Sequence, residues 1–285
     1  MTQPNRELYT RAAELVERAD TILITAGAGM GVDSGLPDFR GPEGFWRAYP
    51  ALRGYAFEEM ANPVWFSRDP HRAWGFYGHR LNLYRKTQPH AGFEILKRWS
   101  EACVAPSHIF TSNVDGQFQR AGFAEGMITE CHGSIHYLQG FEHDGEIVSA
   151  DSITVEIDEV DLRALDPLPS HPHIEGPVRP NILMFGDGTW NARRTMEQEA
   201  RLERWCDQMH RERIVIIEMG AGTSIPSVRY QSESVLMQCP YANLIRINPR
   251  EAQVSTHLQA RALSLSVGAL EALEGIDLAL KSLYA

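Results

Sequence analysis

The chain has 285 residues, 43% apolar and 22% charged, with a formal net charge of −10. That is long enough for one large core plus a small module, and an acidic balance with no basic run argues against nucleic acid or an anionic membrane as partner. No stretch approaches the roughly 18 consecutive apolar residues of a membrane helix. The N-terminus carries Glu7, Glu14 and Glu17 without an apolar core, which is not a signal-peptide pattern. Cys103, Cys131, Cys206 and Cys239 form no C-x-x-C pair. Their scatter argues against a disulfide framework and a thiolate zinc site, and the simplest expected home is a reducing cytoplasm. Composition leaves the oligomeric state open.

Residues 4–19 set Leu8, Leu15 and Val16 near one face and predict an amphipathic helix. The β-branched run from Thr21 predicts a buried parallel strand. It empties into Gly27, Gly29 and Gly31, where a bare backbone can approach a phosphate. An ordinary dinucleotide fold would continue with a helix. Here Val32 stands where the third glycine of G-x-G-x-x-G belongs, and Ser34-Gly35-Leu36-Pro37 cannot start a long regular helix. Asp38-Phe39-Arg40 follows, and a Phe and an Arg on a Gly/Pro-hinged loop suit a lid over a cofactor.

An aromatic-rich helical segment, residues 45–100, comes next. Within it Tyr77 and Arg80 are three apart and share a helix face. Arg can grip a carboxylate through two parallel bonds and Tyr can add a third; the alternative is a solvated Arg beside a core Tyr. Further strands are predicted over 107–111, 127–129, 181–185, 213–218 and 243–247, and helices over 195–210 and 251–265. Residues 135–178 are polar and Pro-punctuated. The alternation predicts an α/β fold, a Rossmann-like parallel sheet. Residues 1–285 form a single catalytic domain in this reading, with a small module built from insertions 45–100 and 135–178. Strand ends at Ser112-Asn113, Cys131-His132, Gly186-Asp187, Gly220 to Gly222 and Asn248 place the polar residues at one crevice.

Two strand ends carry chemistry. His132 precedes Gly133, and an imidazole titrating near neutrality suits a general base on a sugar hydroxyl; a surface loop histidine is the alternative. An Asn113 amide can orient a ribose or water, and an Asp115 carboxylate can accept from a carboxamide NH₂; an Asx turn closing the strand is the alternative.

Gly27-Ala28-Gly29 followed by Ser34-Gly35-Leu36-Pro37-Asp38-Phe39-Arg40-Gly41 resembles the cofactor loop of the sirtuins, NAD-dependent protein-lysine deacylases and, less often, ADP-ribosyltransferases. Thr111-Ser112-Asn113-Val114-Asp115 resembles that family's T-Q-N-I-D, and Glu130-Cys131-His132-Gly133-Ser134 its E-x-H-G. The resemblance implies that Gly27, Ala28 and Gly29 hold the diphosphate of NAD. It implies that Asp38, Phe39 and Arg40 belong to the closing loop, Phe39 shielding the reacting sugar from water. Ser112, Asn113, Val114 and Asp115 then surround the ribose and nicotinamide, with His132 as base. Gly222-Thr223-Ser224 and Asn248 fall on the adenosine side. Tyr77 and Arg80 match the Y-x-x-R of members that remove succinyl, malonyl or glutaryl groups.

There are departures. Ser112 replaces a Gln, Gly31 a Ser, and the four zinc cysteines are missing. Spacing puts Gly140, His143, His171 and Ile174 in their places, with His173 adjacent; His143, His171 and His173 could form a three-His site. The reading taken is no metal. The stretches from Thr111 to Phe123 and from Met219 to Pro226 are similar to the macrodomain-linked sirtuin branch, ADP-ribosyltransferases that lack the base His. The expected activity is therefore NAD-dependent deacylation of an acylated-lysine protein, a transferase reaction favouring acidic acyl groups. The alternatives are protein ADP-ribosylation and a non-catalytic NAD or ADP-ribose sensor.

Overall fold

The computed structural model describes residues 3–38, 47, 49–142 and 144–284. Phe39, Arg40 and His143 therefore lie outside the described residues.

Strand β1 (Thr21–Ala26) is buried along its whole length. Alternate residues serve two cores: Ile22, Ile24 and Ala26 join one apolar cluster and Leu23 the opposite one. A strand covered on both faces needs no polar alternation, so its sequence is a continuous apolar run. It pairs in parallel with β2 (His108–Thr111) on one side and β9 (Ile214–Met219) on the other. The six-stranded parallel sheet has the order β11-β10-β9-β1-β2-β3, with β3 at Ile128–Glu130, β10 at Asn243–Ile247 and β11 at Ala262–Leu265. This is a doubly wound sheet whose direction of growth reverses between β1 and β9, the place where such sheets open a ligand crevice.

Helices α1 (Gln3–Glu17), α5 (Ala91–Ala102) and α9 (Ala269–Ser282), with the one-turn α6 (Gln117–Arg120), cover one face; α7 (Arg193–Met209) and α8 (Ser227–Gln238) cover the other. Two expectations are corrected. Residues 251–265 are not a helix but a loop, a 3₁₀ segment and the edge strand β11. The strand expected at 181–185 is β8 (Arg179–Ile182), which leaves the parallel sheet and pairs antiparallel with β4 (Gly133–Gln139). β4 also pairs with β5 (Ile147–Ser149), making a separate three-stranded sheet. Pairing partners set strand direction, and no local pattern encodes them.

A third apolar cluster joins residues 49–84 to residues 135–184. It includes the short helices α2 (Phe57–Met60) and α3 (Val64–Arg68) and the long α4 (Pro70–Lys86). Gly75 of α4 lies so close to the hairpin of β6 (Ile157–Asp158) and β7 (Arg163–Ala164) that a Cβ would sit 2.0 Å from the Leu162 carbonyl oxygen. That missing side chain lets helix backbone rest on hairpin backbone. No described helix is long and apolar enough to cross a membrane.

Candidate active site

The loops after β1 and β9 meet at the sheet's reversal point. A Cβ on Gly29 would sit 2.6 Å from the Gly220 Cα, and one on Gly27 would sit 2.8 Å from the Gly220 oxygen. The amides of both are already used: Gly27 donates to the Met219 carbonyl at 2.9 Å and Gly29 to the Gly220 carbonyl at 3.1 Å. These glycines thus let two loops touch. Ala28 between them is exposed, and its amide has no backbone acceptor among the described residues. It heads a 3₁₀ turn over Ala28–Met30, a second turn spans Val32–Ser34, and Gly35 ends it at φ +87°. That matches the absence of a long helix expected after the glycines.

The crevice is a cavity of about 1000 Å³, at the upper end of ordinary small-molecule sites of roughly 300–1,000 Å³. Of the residues singled out from sequence, Gly27, Ala28, Asp38, Tyr77, Arg80, Ser112, Asn113, Val114, Asp115, His132, Gly222 and Ser224 line it. Three do not. Gly29 packs on Gly220 as above. Thr223 is exposed and its hydroxyl donates to Glu251 Oε1. Asn248 is buried; its Nδ2 donates to the Ala221 carbonyl at 2.8 Å and its Oδ1 accepts the Arg250 and Glu251 amides, each at 3.0 Å. It braces the wall rather than facing the space.

β2 delivers the polar cluster. The Thr111 hydroxyl donates to the Ala26 carbonyl at 3.0 Å and accepts the Asn113 amide at 3.0 Å; Asn113 Nδ2 donates to the Gly27 carbonyl at 3.1 Å. Asn113 thereby ties the β1 loop to the β2 loop. The Asp115 carboxylate accepts the Gln117 amide at 3.0 Å. Burial pushes its pKa up to about 6; the Gln117 amide opposes this, Glu130 adds to it and Arg80 opposes it. Glu130 is itself buried and paired with Arg194 at 2.6 Å.

His132 sits between the end of β3 and the start of β4, its carbonyl accepting the Leu183 amide at 3.0 Å. Burial holds the imidazole below its ordinary pKa, with the Ser112 backbone pulling weakly the other way. It is therefore neutral near pH 7 and free of its proton, as a base must be. The neighbouring Cys131 thiol is pushed up to about 12 by burial and is no nucleophile.

Residues that the sequence reading missed complete the walls. Arg250 donates to Asp38 at 3.0 Å across the crevice. Phe57 and Phe185 meet edge to face at 6.1 Å, and Tyr84 stands beside them on the lining, together with Asp187, which the sequence had already marked as a strand-end residue at the crevice. Asp187 accepts both terminal nitrogens of Arg179, at 2.8 and 3.0 Å, in a fully buried pair. Tyr84 was legible at seven residues from Tyr77 and four from Arg80, a spacing that keeps one helix face. Arg250 carries no local signal.

Among the described residues no group of three His, Cys, Asp or Glu side chains could hold a metal. His171 and His173 lie with ring centroids 5.3 Å apart. For a dinucleotide the residues fit: an unbonded backbone amide at a doubly wound sheet's reversal point, a carboxylate and a neutral imidazole share one cavity of suitable size.

An open nucleotide crevice in a doubly wound sheet defines the class of protein, and sequence comparison narrows it. The Sir2 family model matches residues 27–210, so the chain belongs to the Sir2 family. A Thermococcus kodakarensis protein named NAD-dependent protein deacylase is 30% identical over 184 residues, 62% of this chain and 63% of that one. A Fusarium oxysporum f. sp. cubense protein named a probable bifunctional ADP-ribose hydrolase/ADP-ribosyltransferase is 28% identical over 271 residues, 90% of this chain and 45% of that one. The chain thus spans less than two thirds of either relative. A crystal structure of a Sir2 homologue–NAD complex superposes with a TM-score of 0.69 at 25% identity, covering 96% of this chain and 94% of that chain.

Proposed function

We propose that the chain is an NAD-dependent protein-lysine deacylase that favours acidic acyl groups, working without a structural zinc and in the reducing cytoplasm that four free cysteines suit. The observation that carries the reading is the convergence, on one cavity, of a neutral imidazole, a buried carboxylate and an Arg/Tyr helix face. The family relationship and the named activity of the Thermococcus relative support it.

In this reading Ala28 and the loop ends around Gly220 receive the diphosphate. Bound NAD supplies an electrophilic ribose carbon when its nicotinamide departs. Asp115 accepts from the carboxamide, with Val114 beside the ring. Asn113, fixed by the Gly27 carbonyl, orients the ribose. His132 takes the proton of a ribose hydroxyl as the acyl group moves to it. The apolar wall of Phe57, Ile182, Met184 and Phe185 keeps water from the reacting carbon. Arg80 and Tyr77 face the far end of the acyl group. Residues 45–100 and 135–178 act as one module beside this wall, to which they contribute Phe57.

The test is mass spectrometry of the products from NAD and a panel of acyl-lysine peptides. The expected products are free lysine peptide, nicotinamide and O-acyl-ADP-ribose. The Fusarium relative, which matches 90% of this chain, favours a second reading, protein ADP-ribosylation. A protein gaining one ADP-ribose mass, with every acyl peptide intact, decides for that. Binding of NAD with no nicotinamide release decides for a sensor.

A further inference from the structure

Helix α4 carries Tyr77, Arg80 and Tyr84 on one face, and all three line the large cavity. The Arg80 guanidinium stacks among aromatic rings, with centroids of Phe76, Tyr77 and Tyr84 at 5.3, 5.6 and 5.5 Å. Stacking fixes the guanidinium plane. In that plane Nε and Nη2 both donate to the Tyr84 hydroxyl, at 3.0 and 2.9 Å. A phenol oxygen that accepts two N–H bonds has no lone pair left to offer, and its remaining capacity is its own proton. Among the described residues no acceptor is bonded to that proton. Burial keeps the phenol protonated at any ordinary pH.

We infer that Tyr84 determines acyl specificity: its O–H, aimed by the two bonds from Arg80, donates to the terminal carboxylate of a succinyl- or malonyl-lysine. The inference rests on the acidic-acyl reading above. A guanidinium alone attracts any anion. A guanidinium that orients a phenol adds to its charge a directed donor for one planar carboxylate. An acetyl group offers that donor nothing. Tyr84 also forms, with Asp115, part of the wall of a second cavity of about 250 Å³. The ring therefore separates two spaces, and Tyr84→Phe keeps that partition while deleting only the hydroxyl.

The experiment compares the parent, Tyr84→Phe and Arg80→Met on matched succinyl- and acetyl-lysine peptides. It measures kcat/KM, and also peptide affinity by calorimetry without NAD. In Tyr84→Phe the succinyl kcat/KM and affinity should fall about tenfold or more, the loss typical of a hydrogen bond to a charged group. The acetyl values should hold. Equal falls for both peptides, or an unchanged succinyl-to-acetyl ratio beside a ratio abolished by Arg80→Met, would overturn the role of Tyr84 and leave the acidic-acyl reading in place. A parent with no succinyl preference would remove both. If Tyr84→Phe melts far below the parent, Tyr84→Gln decides, because its amide keeps an acceptor for Arg80 and a donor for the carboxylate. Retained preference supports the inference, and lost preference overturns it.

Discussion

At the scale of single residues, Asp115 and His132 set the pH behaviour of the site. Asp115 has its pKa raised from 3.8 to about 6, burial being the largest cause. The folded protein keeps that proton to higher pH than the unfolded chain. Stability therefore falls as pH rises from about 4 to about 6, and the penalty stays in full above that. Two units correspond to about 3 kcal/mol. Asp115→Asn, which keeps an acceptor for the Gln117 amide, should melt above the parent at pH 7.5 and converge with it near pH 4. Coincident melting curves at pH 7.5 would contradict this. Asp115→Ala should lose nicotinamide exchange, since a charged hydrogen bond of about 1.5–3 kcal/mol goes with it. His132 is held below its ordinary pKa, so the acid limb of deacylation should lie below pH 6.5. In the proposed reading nicotinamide departs before the base acts, so His132→Ala should abolish deacylation and retain some exchange. Full deacylation in that variant would remove the base assignment.

At the scale of elements, the β1 and β9 loops touch at the crevice. Gly220 has φ +62°, and a Cβ there would sit 2.4 Å from the Gly29 carbonyl carbon and the Met30 nitrogen. Gly29→Ala must push the same backbones apart. It should cost about 1–3 kcal/mol, as overpacking does, and weaken NAD binding. Thermal melting and NAD titration are the measurements, and an unchanged pair of values would show that the loops need not touch. This contact was invisible in sequence, where Gly27 and Gly29 spoke for a phosphate. The periodic segments were legible: α1, β1, β2, β9, β10 and α7 follow from their apolar patterns. β11 was not, because Ala262–Leu265 is a four-residue edge strand inside a stretch whose spacing also fits a helix.

At the scale of the whole molecule, two packing devices stand behind the crevice wall. One is the apolar cluster that joins residues 49–84 to residues 135–184. The other is the Arg179–Asp187 pair, both side chains 0% exposed. Asp187 also accepts the amides of Met184 and Thr189, at 3.3 and 3.0 Å, and so shapes the loop that carries Phe185. Asp187→Ala would strand a buried guanidinium and should cost about 3–5 kcal/mol in denaturant unfolding. A loss within experimental error would show that water reaches Arg179. Because apolar packing joins residues 49–84 to residues 135–184, zinc should be absent by elemental analysis and a chelator should leave the melting temperature unchanged. A stoichiometric tightly bound zinc would reverse that and point to His143, His171 and His173.

The sequence by itself determined the parallel α/β class, the glycine turn after β1 and the candidate base and carboxylate at the ends of β3 and β2. Those are local matters: strand periodicity, backbone freedom and residue chemistry are written within a few positions. Only the tertiary structure decided that Gly29 packs on Gly220 and that Asn248 turns inward to brace Ala221. It alone placed β8 in an antiparallel sheet. Each of these depends on which distant or facing group fills the adjacent space, and close packing settles that only when the whole chain is in place.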